Sequence, residues 1–235
     1  MRVESKTFPV GGDSLAPPRV RLRSLAIPER YTRLFTWFQI IVGFGALEFA
    51  LWTPRLYNRN RWIVVTTVTI LFFVLVDRPS LERLGLRLPK TFGASLVLGI
   101  SFATAIVIVF ATRWAGGTIP ANPTWPNLHL AWQYLIWATI QEFILQSFFF
   151  TRLERLFGGE TAVWIASALF AAAHLPSPIL TTFTLVGALF FCEMFRRYRS
   201  IYPIGIVHAL LGLTVSVTMP NVLLHHMRVG IGYLK

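Results

Sequence analysis

Glu142, His174 and His208 are the residues of this sequence best placed to do chemistry, because each interrupts a run otherwise apolar enough to lie in lipid. An ionisable group inside a membrane span is costly and normally faces the interior of its bundle. The carboxylate of Glu142 therefore marks a candidate site, and the two histidines of later apolar runs are its candidate partners. Two imidazoles and a carboxylate in a dry cavity can bind a divalent metal such as zinc, here through His174, His208 and Glu142. They can also position and deprotonate a water directly. Either route makes a nucleophile able to attack an amide. The local spacing of a helical zinc protease, His-Glu-x-x-His, is absent, so any such site is assembled from three helices. The plainer reading is a protonated Glu142 hydrogen-bonded to Gln146 one turn later, holding helices together and nothing more.

The elements that carry these residues are membrane helices. A chain of 235 residues with 54% hydrophobic and 14% charged residues is too apolar for an ordinary soluble domain and reads as an all-α polytopic bundle. The formal net charge of +12 raises the question of nucleic acid. Its basic residues form short clusters between apolar runs, without the interleaved aromatics of a nucleic-acid surface, so no nucleic-acid partner is expected. Topology and anionic lipid headgroups account for the charge instead. Cys192 is the only cysteine, which rules out an intrachain disulfide.

In order, residues 1–33 form a basic, Pro- and Gly-containing tail expected to be disordered and cytoplasmic, residues 34–219 a transmembrane domain, and residues 220–235 a weakly amphipathic tail. About seven spans are expected, between six and eight, at 34–52, 62–76, 91–112, 130–150, 160–175, 179–195 and 201–219. The second is short. Residues 77–90 read as a basic loop, and 113–129, with Trp114 and Trp125, as an interfacial one. With the amino terminus inside, sixteen of the 22 basic residues fall on the cytoplasmic side, the orientation expected in a plasma (inner) membrane. At 1.5 Å per residue, Glu142 and His208 lie at similar depths, about 13 and about 12 Å from the inner ends of their spans. His174 would lie at about 21 Å in a straight helix, although Pro176 and Pro178 should end or bend it. Glu193 and Arg197 read as an interfacial ion pair, and Phe148 to Phe150 as lipid or packing surface.

Phe170-Ala171-Ala172-Ala173-His174 and the approach to His208 from Tyr202 to Ala209 give this sequence a resemblance to a known family. It is similar, over about residues 80–215, to the CPBP intramembrane proteases, the CAAX prenyl protease and bacteriocin-processing enzymes. The family pattern is Glu-Glu-x-x-x-Arg, then Phe-x-x-x-His, then His followed four residues later by a polar residue. Gln141 stands where the family has the glutamate credited with activating water, Glu142 matches the second glutamate, Gln146 replaces the arginine, and Gly212 stands at the polar position. The resemblance implies a peptidase acting on a membrane-embedded or prenylated substrate. Glu142 would be its acid or base, His174 and His208 would hold water, oxyanion or metal, and Gln141, Gln146 and Phe170 would support them. The alternative is a catalytically silent relative that binds or escorts a membrane partner with the same cavity. A proton-coupled transporter ranks third, because the sequence shows no repeated half.

Overall fold

The computed structural model describes residues 29–54, 59–115 and 128–234. Most of the expected basic tail and of the loop at 113–129 lies outside them. Long helices follow one another: α1 (Glu29–Trp52), α2 (Arg59–Asp77), α3 (Thr91–Trp114) and α4 (Leu128–Glu142). A π-helical stretch, Phe143–Phe150, then runs straight into α5 (Thr151–Phe157), followed by α6 (Gly159–Ala172), α7 (Pro178–Tyr198), α8 (Ile201–Thr218) and the short α9 (Asn221–Leu224). Among the described residues there is no strand, only an antiparallel bridge between Leu86 and Ser200. Five of the described helices, α1, α2, α3, α7 and α8, are long and apolar enough to cross a membrane, and α6 is a shorter apolar helix.

The boundaries follow local chemistry. Ser177 accepts the Leu180 N–H and Pro178 opens α7, two ordinary signals for a helix start. Gly158, at φ 81°, turns the chain between α5 and α6. Both α1 and α2 extend beyond the expected spans, so α2 is 19 residues long and its last residue is Asp77.

Packing places α8 at the centre of the site. It lies against α3 and α4, while α6 packs on α7 and α1 on α2. Close approach of α8 to α4 depends on small residues, as in many membrane helix pairs. A Cβ on Gly205 would come within 3.2 Å of Thr139 Cα, and one on Gly212 would run into the Tyr134 hydroxyl. Phe148, Phe149 and Phe150 are buried in the core rather than turned to lipid.

Contacts between connections divide the molecule into two ends. At one, the Ile201 N–H donates to Gly85 O, the Ser147 hydroxyl to Leu84 O, and Arg199 pairs with Glu154. At the other, the carboxyl-terminal residues fold back: the Gly230 N–H donates to Leu175 O at 2.8 Å, and Gly230 lies on the Leu51 carbonyl. The terminal segment is thus a set of packed turns, with Leu224 buried beneath it.

Candidate active site

Glu142 is the last residue of α4 and is fully buried. Its Oε1 lies 2.8 Å from His208 Nδ1, and its Oε2 accepts from Gln146 Nε2 at 3.0 Å. The expected agreement in depth between α4 and α8 is therefore realised as a direct contact. The backbone at Glu142 is ordinary α-helix, φ −65° and ψ −36°, so Gln141 and Glu142 keep the ~100° separation of neighbouring helical residues. Gln141 looks into a cavity and Glu142 does not.

That cavity has a volume of about 350 Å³ and is walled mainly by apolar side chains from α1, α4, α6, α7 and α8. Gln141, His174 and His208 are among the polar residues that line it, and no carboxylate does. His174 lies in the turn after α6, because the helix ends at Ala172. Its ring reaches the site through Phe170: the two centroids are 4.7 Å apart, and the Phe170 and His208 centroids 5.8 Å apart. Phe191 stacks on the other ring, 5.4 Å from His208.

Hydrogen bonding sets what each imidazole offers. His174 Nδ1 is 2.7 Å from Phe170 O. A carbonyl only accepts, so Nδ1 carries the proton and Nε2 of the neutral ring keeps its lone pair. With Glu142 ionised, His208 is in the same tautomer, its Nδ1–H donating to the carboxylate and Nε2 left for the cavity. A carboxylate behind an imidazole orients it and stabilises the imidazolium formed when it takes a proton.

The structure thus brings Glu142, His208 and Gln146 into one chain of contacts, and joins His174 to it through Phe170. Both oxygens of Glu142 and both Nδ1 atoms are engaged. Among the described residues no three His, Cys, Asp or Glu side chains form a metal-ligand set. The residues do not fit the expected divalent ion, whose available ligands would be two Nε2 atoms. Sequence reasoning missed Phe191 and Tyr134, which also lines the cavity. Neither stands in a motif or at a spacing that marks it.

Residues 123–214 match the family described as Rce1-like, type II CAAX prenyl endopeptidase Rce1-like. This stretch is similar to that family. The match spans α4 through most of α8 and includes every site residue named above, but starts well after residue 80, where the sequence resemblance was drawn. No curated protein matches the chain. A stretch similar to a CAAX protease family thus lies within a bundle of long apolar helices, the make-up of an integral membrane protein.

Proposed function

We propose that the chain is an intramembrane endopeptidase that hydrolyses a lipid-linked, prenylated peptide in the cavity beside His208. The observation that carries this reading is the Glu142–His208 contact, a buried carboxylate on Nδ1 of an imidazole that lines an apolar cavity. His208 Nε2 takes a proton from water as its oxygen attacks the scissile carbonyl carbon. The C–N bond then breaks, and the leaving amine takes the same proton from Nε2, so water and amide become acid and amine. Glu142 acts through His208 rather than on substrate. His174 offers a second acceptor, and the Gln141 amide can donate to the attacking water. No step passes through a metal.

A specific observation favours the second reading, a silent relative that only binds an apolar chain. Gln141 lines the cavity where the family pattern has a carboxylate, and an amide cannot take a proton. Incubating the purified protein with a farnesylated tetrapeptide in ¹⁸O-water separates the two. Cleavage with one heavy oxygen in the new carboxylate supports the peptidase, and binding without fragments supports the silent relative. The proposed setting is a plasma or inner membrane with a cytoplasmic amino terminus, about seven passes, and membrane lipids as neighbours.

A further inference from the structure

We infer that Tyr134 supplies the hydrogen bond to the substrate carbonyl in this cavity, an inference that rests on the peptidase reading. A carbonyl entering the cavity needs a donor, and the oxygen that becomes negative on water attack needs one more strongly. Neither imidazole provides one in its neutral form, since His174 and His208 both carry their proton on Nδ1, bonded away from the cavity. The hydroxyls of Thr104 and Thr184, also in the wall, are committed to Ile100 O and Thr181 O. The side-chain donors left in the wall are Tyr134, Trp137 and Gln141. Trp137 is half exposed and also borders a second hollow beside α2.

The place of the Tyr134 hydroxyl is set by Gly212. Gly212 follows His208 by four residues on α8, so the two share a face one turn apart. A Cβ there would run into the Tyr134 hydroxyl and lie 3.0 Å from Cε1 and Cζ. The space in which a side chain at 212 would begin is thus filled by a hydroxyl from α4. Among the described residues no protein group takes its hydrogen bond. A free O–H in an apolar wall, one helical turn from the proposed base, is placed to meet a carbonyl whose carbon faces His208 Nε2. Gly212 therefore makes room for a polar group instead of being one.

The test uses the full chain in lipid nanodiscs and two probes, a farnesylated tetrapeptide and its isostere with the scissile carbonyl reduced to methylene. Tyr134→Phe should lower kcat on the first by on the order of 10²-fold and raise KM by up to about tenfold. Unchanged kcat in Tyr134→Phe would overturn the assignment. Binding separates this assignment from the peptidase reading. The wild type should bind the carbonyl form about tenfold better than the isostere, and Tyr134→Phe should lose that preference while still binding the isostere, which shows that it is folded. If the wild type binds with this preference but never cleaves, the peptidase reading fails and the Tyr134 contact stands. If the preference survives in Tyr134→Phe, or the wild type binds neither probe, the contact is wrong.

Discussion

Glu142 faces no part of the cavity, so what its removal does depends wholly on His208. Glu142→Gln keeps the shape and the contact to Gln146 but takes away the charge that stabilises the imidazolium. The expected result is a fall in kcat on the order of 10²- to 10⁴-fold with KM little changed, read on the farnesylated peptide. A loss carried by KM alone would mean that Glu142 shapes the cavity without assisting the base. Treatment with a chelator tests the other use of these atoms. Cleavage should persist, since the two imidazoles offer the cavity only their two Nε2 atoms, one fewer than the three protein ligands of an ordinary catalytic zinc site; loss restored by zinc would return a metal to the site. At this scale the sequence was partly legible. Glu142 meets His208, as their similar depths suggested, although the eight residues that lead in to Glu142 from the inner end of its span are π-helical. The depth of His174 did not fit, because a turn after Ala172, not a straight helix, brings its ring in. Tyr134 was invisible because a tyrosine in an apolar run looks like interfacial packing until Gly212 is seen beneath it.

Five of the seven expected spans return as helices long and apolar enough to cross a membrane, whereas 130–150 is divided into α4 and a π-helix and α6 is shorter than its apolar run; two features of the elements were not readable at all. The first is the π-helix from Phe143 to Phe150, whose closing bond runs from the Thr151 N–H to Gln146 O. Its sequence holds neither Gly nor Pro, and its residues would all suit an α-helix. The second is a buried cluster at the end of α2. Asp77 forms an ion pair with Arg152 at 2.9 Å, not aligned as a hydrogen bond, and takes a hydrogen bond from Gln39 Nε2. Gln39 Oε1 in turn accepts from Arg152 Nε, whose guanidinium also lies 4.0 Å from the centroid of Phe148. In the sequence Arg152 counted only as a charge on the cytoplasmic side, since partners so distant along the chain leave no local spacing to read. This cluster ties α1 and α2 to the rod that carries Glu142. Asp77→Ala strands a buried guanidinium and should cost about 3–5 kcal/mol, seen as earlier thermal unfolding in detergent. Arg155→Ala, which removes a more exposed charge 3.6 Å from the same carboxylate, should cost less than about 1 kcal/mol. Equal effects would mean that the cluster does not hold the helices.

For the whole molecule, the distribution of basic residues predicts an amino terminus inside and a carboxyl terminus outside. The contacts agree with alternation. The turns around Gly85, Glu154 and Arg199 meet at one end, and Leu51, Leu175 and Gly230 meet at the other. Single cysteines near the two termini, in a Cys192→Ala background, should label from opposite faces of the membrane. Labelling from one face would mean that a pass has been miscounted. His208 as the base of a membrane peptidase is the central proposal. Single-turnover cleavage of a farnesylated tetrapeptide by wild type, His208→Gln and His174→Gln, with binding of the reduced isostere as the check on folding, tests it most directly. Wild type should cleave, His208→Gln should do so at a rate at least about 10²-fold lower, and His174→Gln should show a smaller loss. A His208→Gln protein that binds the isostere and cleaves at the wild-type rate would contradict it.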